Sequence, residues 1–239
     1  DPDELRAACS PRTRAILVNT PHNPTGRMFS ADELALIAEL CREHDALLFT
    51  DEVYEELAFD QPHTYPVTVD DLAELTVMMS SLGKTFSLTG WKIGWAVAPP
   101  RLTRALRTAH QFLTFASATP LQHAAATALA APGDYYDTLR DEFRQRRDRL
   151  VHGLRDLGFP LTVPAGGYFV MADHTPFGFE NDVDFCRHLA AEVGVAAIPP
   201  SAFYAHPEHG RDLVRFSFCK KLETLDDALQ RLRQGLASA

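Results

Sequence analysis

Three short apolar runs, each ending in polar residues, constrain this chain of 239 residues more than any other feature. Arg14-Ala15-Ile16-Leu17-Val18 leads into Asn19-Thr20-Pro21-His22-Asn23-Pro24-Thr25-Gly26. Ala46-Leu47-Leu48-Phe49-Thr50 leads into Asp51-Glu52-Val53-Tyr54. Thr76-Val77-Met78-Met79 leads into Ser80-Ser81-Leu82-Gly83-Lys84. Near-continuous apolar runs of this length fit the buried strands of a parallel sheet. Between the first two, Ser30-Ala31-Asp32-Glu33 forms a capping box. Leu34, Ile37, Leu40 and Cys41 follow at helical spacing. A strand, a helix and a strand in this order make a right-handed crossover. Ligands of open α/β sheets bind outside the carboxyl ends of the strands. Asn23, Asp51 with Tyr54, and Ser81 with Lys84 are therefore expected at one sheet edge.

Composition narrows the partners. The net charge of −9 supplies no basic field for nucleic acid or an anionic membrane. No apolar run approaches the length of a membrane span. Cys9, Cys41, Cys186 and Cys219 are scattered without a Cys-x-x-Cys pair, which suggests neither a disulfide framework nor a metal site. They read as small buried hydrophobes, and a reducing cytoplasm is the expected compartment.

Further along, 60–69 reads as a loop, 70–74 as a short helix, and Trp91 to Ala98 as another apolar strand stopped by Pro99-Pro100. Arg101 to Phe115 and Leu121 to Ala131 read as helices. Pro132-Gly133 is a breaker, giving expected domains at 1–132 and 133–239. The second begins with a helix near Tyr135 to Leu157, whose run Arg140 to Arg149 reads as a solvated face. Strands are expected at Leu161 to Val163, Tyr168 to Met171, Val195 to Ile198 and Leu213 to Phe218. Helices are expected over Asp182 to Val193 and after a cap at Thr224.

Several of these residues carry chemistry. An amine at a strand end, withheld from bulk water, is a nucleophile toward carbonyl carbons. That makes Lys84 notable, although most lysines after strands are surface residues. Asp51 is explained as well by a turn cap as by a functional carboxylate. Asn23-Pro24-Thr25-Gly26 is good turn chemistry, and Tyr54 could be an ordinary amphipathic tyrosine. Arg215, in the alternating strand Leu213-Val214-Arg215-Phe216-Ser217-Phe218, should be buried only if paired. An internal salt bridge is the alternative explanation.

Taken together, Asn-Pro-x-Gly, Asp51-x-x-Tyr54, Ser81-x-x-Lys84, Gly90-Trp91-Lys92-Ile93-Gly94 and the late-strand Arg215 resemble the class I/II aminotransferases among fold-type-I pyridoxal-phosphate enzymes. The likeness covers essentially the whole chain. It implies an α/β fold: part of a large, mostly parallel sheet domain plus a small α+β C-terminal domain. It implies pyridoxal 5′-phosphate as cofactor, with Lys84 as its Schiff-base lysine and proton carrier. Asp51 would face the pyridine nitrogen, and Tyr54 and Asn23 the phenolate oxygen. Ser81 and Lys92 would hold the phosphate; Lys92 departs from the usual Arg and gives a point charge rather than a bidentate fork. Arg215, with Asn23, would take the substrate α-carboxylate. His22, Phe112, Phe115, Gln122, Tyr168 and Tyr204 are candidate pocket residues.

The segments 89–92, 110–116, 166–169 and 198–204 look most like a branch of kynurenine, glutamine and methionine aminotransferase-like enzymes. N-succinyldiaminopimelate aminotransferases are the rival. A β-lyase of the same fold, or a truncated, non-catalytic pyridoxal-phosphate-fold protein, also stays open. Resembling enzymes carry a substantial portion ahead of this start, so the sequence is expected to be part of a longer protein. A homodimer acting on an amino acid and a 2-oxo acid is expected.

Overall fold

The computed structural model describes residues 1–69 and 72–237. They divide into two compact units. One comprises 1–22 and 27–137, the other 23–26 and 138–239.

In the first unit a helix, α1 (Pro2–Ala8), precedes β1 (Ala15–Asn19). Next come α2 (Ala31–Glu43), β2 (Leu47–Asp51), β3 (Thr76–Ser81), the single-turn α3 (Leu82–Thr85) and β4 (Gly94–Val97). The sheet order is β1-β2-β3-β4. β1, β2 and β3 run parallel, with Asn19 opposite Asp51 and Asp51 opposite Met79. β4 returns antiparallel, with Gly94 opposite Ser81. This register places the polar ends of the three parallel strands side by side.

The capping box at the start of α2 forms as expected: the Ser30 hydroxyl accepts from the Glu33 N–H, and the Glu33 carboxylate accepts from the Ser30 N–H. Leu34, Ile37, Ala38 and Cys41 then pack with Val18, Leu48 and Leu72. Each fully buried Leu or Ile here contributes roughly 2 kcal/mol by removal from water.

Two strands differ from expectation. β1 buries Val18 but leaves Leu17 72% exposed, and β4 leaves Val97 53% exposed. Both are the outer strands of the four-stranded sheet that the described residues form. α4 (Pro100–Leu113) and α5 (Thr119–Leu129) follow. Leu121, Ala125 and Ala128 of α5 pack around Leu82 and Ile93. The short helix read over 70–74 begins on residues 70 and 71, outside the described residues; 72–75 form turns.

The long helix α6 (Gly133–Asp156) opens in the first unit, where the Tyr135 hydroxyl donates to the Thr85 carbonyl at 2.8 Å and its ring stacks on Phe86. In the second unit β5 (Phe169–Asp173) and β6 (Leu213–Ser217) form an antiparallel pair. Between them lie α7 (Asp182–His188) and a π-helical turn, Leu189–Val193, which ends the helix expected over 182–193. α8 (Leu222–Leu236) closes the chain and buries Leu225, Leu229 and Leu232.

The strands expected at 161–163 and 195–198 reduce to single bridges, Leu161 to Ala172 and Ile198 to Arg215. Three or four apolar residues made the pattern, but only one residue in each finds a ladder partner. The arginine run also divides. Arg144 and Arg146 pair on the surface with Asp141 and Glu142, contacts of small net value. Arg147 instead is buried and donates from Nη1 to the Pro164 carbonyl at 3.1 Å. Cys41 and Cys186 are buried as expected, whereas Cys9 and Cys219 are half-buried; all four are free. Among the described residues no helix is long and apolar enough to cross a membrane, and no cluster of His, Cys, Asp and Glu suits a metal ion.

Candidate active site

At the carboxyl edge of the first unit's sheet, β2 ends at Asp51, whose Oδ1 accepts from the Val53 N–H at 3.3 Å. Asn19, at the end of β1, donates from its side-chain amide to the Asp51 carbonyl at 2.8 Å. The chain then turns through Tyr54, only 3% exposed. β3 ends at Ser81, which caps α3: its hydroxyl accepts from the Gly83 N–H at 3.2 Å. One turn later the Lys84 Nζ lies 5.8 Å from the centre of the Tyr54 ring. Residues from two neighbouring strand ends are thereby brought together. Lys92 is exposed and sits in the left-handed region at φ 54, a conformation that costs a non-glycine residue about 1–2 kcal/mol.

Behind this edge lies a set of polar side chains that the sequence reading did not single out. The Thr50 hydroxyl donates to Glu52 Oε1 at 2.5 Å, and His63 Nε2 is 2.7 Å from Glu52 Oε2. On β3, the Ser80 hydroxyl donates to Glu55 Oε1 at 2.8 Å, while Glu55 Oε2 is buried with no partner. Burial pushes the Glu55 carboxyl up to about 7, against the Ser80 hydrogen bond and aided by the charges of Glu52 and Glu56.

This has a consequence for stability. The unfolded chain ionises Glu55 near the ordinary 4.5, the folded chain only near 7. Folding is therefore favoured relative to high pH below about 4.5, and that advantage is lost as pH rises through about 7. Glu55→Gln abolishes the loss. The variant is expected to exceed the wild type by about 3 kcal/mol above pH 8 and to match it near pH 4. Urea unfolding at both pH values checks this; equal differences at the two would refute it.

In the second unit, Arg215 extends from β6 with its guanidinium 4.4 Å from the Phe169 ring centre and 4.9 Å from that of Phe203. Its Nη1 donates to Asn23 Oδ1 at 3.2 Å. The structure thus joins two expected substrate-binding residues that lie far apart in sequence. Two aromatic faces and an amide oxygen help to orient this cation. Phe169 belongs to the Gly-Gly-Tyr-Phe segment noticed in the sequence, but nothing local marked it as a partner of Arg215.

Phe112 and Phe115 are 81% and 80% exposed. Gln122 donates to the Ser117 carbonyl, and Tyr168 stacks on Phe143. Tyr204 meets the edge of His209. Burial, with Arg27 nearby, lowers the pKa of His22.

An amine, a carboxylate, a phenol and a hydroxyl thus stand on or just past neighbouring strand ends, at the carboxyl edge of a mostly parallel sheet, where ligands of such sheets bind. Comparison with known proteins agrees. The model of the family Aminotransferase class I and II matches residues 1–232, and the chain belongs to that family. Its members are pyridoxal-phosphate-dependent enzymes, and the fold is that of the fold-type-I aminotransferases.

The solved N-succinyldiaminopimelate aminotransferase of Mycobacterium tuberculosis superposes with a TM-score of 0.94 at 46% identity, over 98% of this chain and 62% of that one. A methionine aminotransferase of Escherichia coli is 40% identical over 98% of this chain and 61% of its own length. The mouse kynurenine–oxoglutarate transaminase 3 is 39% identical over 98% and 55%. The chain thus spans about three fifths of the length of the relatives it matches.

Proposed function

We propose that the protein containing this chain moves an amino group from a neutral, aromatic or sulfur-containing amino acid to a 2-oxo acid, using pyridoxal 5′-phosphate. The observation that carries this reading is the Lys84 amine set 5.8 Å from the Tyr54 ring, where Asp51 and Ser81 end neighbouring strands. Bound there, the coenzyme supplies the electron sink for amino-acid chemistry.

The chain's own residues supply the rest. Lys84 would hold the coenzyme covalently through Nζ. The same Nζ, when free, would take the proton from the substrate Cα and later return one. The Asp51 carboxylate would hold a proton on the ring nitrogen, because an opposite charge favours the protonated form. Tyr54 Oη would donate to the phenolate oxygen, a role the family resemblance also gives the Asn23 amide. Ser81 Oγ and Lys92 Nζ would hold the phosphate. Arg215 offers a planar fork to the substrate carboxylate, its plane set by Phe169 and Phe203. Family membership supports a homodimer and a cytoplasmic setting as part of the same reading.

A second donor, N-succinyldiaminopimelate, is favoured by the 46% identity to the mycobacterial enzyme. The test is the visible spectrum of the intact protein with pyridoxal phosphate. Methionine, kynurenine, glutamine or N-succinyldiaminopimelate is then added in turn, and the 2-oxo products are measured. A visible band that one donor bleaches, with its 2-oxo acid released, supports the reading and ranks the donors. Pyruvate and ammonia from a cysteine conjugate would replace it with a lyase. No visible band would overturn it.

A further inference from the structure

We infer that Glu52 is a positioning residue that sets Asp51 and Tyr54 through a buried Thr50–Glu52–His63 chain; the inference rests on the aminotransferase reading above. Thr50 and Glu52 flank Asp51 in sequence; alternation along β2 puts Thr50 on the face opposite Asp51, and Glu52, just past the strand end, meets the Thr50 side chain. Both are fully buried, at 0% exposure. The Glu52 carboxylate engages the Thr50 hydroxyl at 2.5 Å and His63 Nε2 at 2.7 Å. The His63 side chain is 3% exposed. Its Nδ1 is buried without a partner, and its ring meets Tyr65 edge-on at 4.7 Å. The imidazole is therefore held through one nitrogen and by ring packing.

The backbone carries this anchor into the site. The Glu52 N–H donates to the Met79 carbonyl of β3 at 2.8 Å. The Glu52 carbonyl accepts from the Glu55 N–H at 2.9 Å, and the Tyr54 carbonyl from the Leu57 N–H at 2.8 Å. Fixing the Glu52 side chain thus fixes the turn that carries Tyr54 and the peptide that follows Asp51.

Stability alone does not require such a chain. A buried acid–imidazole pair carries a desolvation penalty, and apolar replacements of similar volume are often neutral or stabilising. What the pair provides is direction: hydrogen bonds fix an orientation that apolar packing leaves looser. The titratable groups acting on the cluster are His63, bonded to it, and Glu55, whose carboxyl feels the charge of Glu52.

The experiment compares wild type, Glu52→Gln, His63→Gln and Thr50→Val in the intact protein with pyridoxal phosphate. Three quantities are read: kcat and KM separately, the pH midpoint of the visible coenzyme band, and the melting temperature. Misplacing the strand end by a fraction of an ångström is expected to lower kcat about 10- to 100-fold with KM nearly unchanged. The band midpoint is expected to move upward by about one pH unit, as the Tyr54 donor withdraws from the phenolate oxygen. Thr50→Val keeps the side-chain shape and removes one bond. It is expected to show a smaller change of the same sign, and it keeps the test decisive should Glu52→Gln fold poorly.

Wild-type kcat and band midpoint in all folded variants, with only melting lowered, would overturn the inference and leave the aminotransferase reading standing. A wild type without any visible band would overturn both.

Discussion

Lys84→Ala is expected to abolish the visible coenzyme band and to lower amino-group transfer by about 10⁴-fold, the upper end of what a positioned acid–base group contributes. The side chain is asked to do two things that no neighbour can take over: to bond a carbonyl carbon and to carry a proton at Nζ. Lys84→Arg separates these from charge. Arginine retains the cation over Tyr54 but cannot be deprotonated in a protein and is no nucleophile. If Lys84 served only to bind an anion or to stack on Tyr54, Arg would restore most of the activity. A lysine that bonds carbonyl carbon and carries the proton makes Lys84→Arg as inactive as Lys84→Ala. Neither change should move stability by more than about 1 kcal/mol, because the residue is half-buried on a single-turn helix. Single-turnover rates and melting curves check the two halves separately.

Gly26→Ala is expected to destabilise the protein by about 4 kcal/mol. Gly26 has φ +68, which strains an alanine by about 1–2 kcal/mol. An added Cβ would also stand 2.2 Å from the Pro164 Cβ and 2.8 Å from the Gly166 carbonyl oxygen. Pro164 does not yield easily, since its carbonyl accepts from the buried Arg147. Overpacking of this kind costs a further 1–3 kcal/mol. Movement of Gly26 would in addition loosen its carbonyl's bond to the Gly166 N–H, 2.9 Å. Asn23, three residues earlier, would lose its place beside Arg215, so KM for the amino acid should rise in whatever fraction folds. Gly26→Asn tolerates positive φ but still clashes, and should recover only about 1 kcal/mol of the loss. Denaturant unfolding of both variants checks the ledger; a small loss in Gly26→Ala would show that Pro164 moves aside.

The strand ends and the residues on them were legible because their signals are local. An apolar run, a capping box and a polar residue at the strand terminus are each read within a few positions. So β1, α2, β2 and β3 lie within a residue or two of where the pattern puts them. Asp51, Tyr54, Ser81 and Lys84 follow from those ends. Where the pattern misled, a partner was missing: Leu161 and Ile198 make one bridge each because their neighbours have no facing strand. Leu17 and Val97 are apolar yet exposed, on the outer strands β1 and β4 of the four described.

By itself the sequence determined the alternation of strand and helix, the parallel order, and which side chains stand at the strand ends. All of these depend on contacts between near neighbours along the chain. Only the tertiary structure decided that Glu52 is held by Thr50 and by His63 from a later loop, and that Arg147 turns inward to Pro164. It also decided that Arg215 lies against Phe169, Phe203 and Asn23. A buried polar group takes whichever partner the fold delivers within about 3 Å. That partner can come from anywhere in the chain, so neither composition nor periodicity announces it.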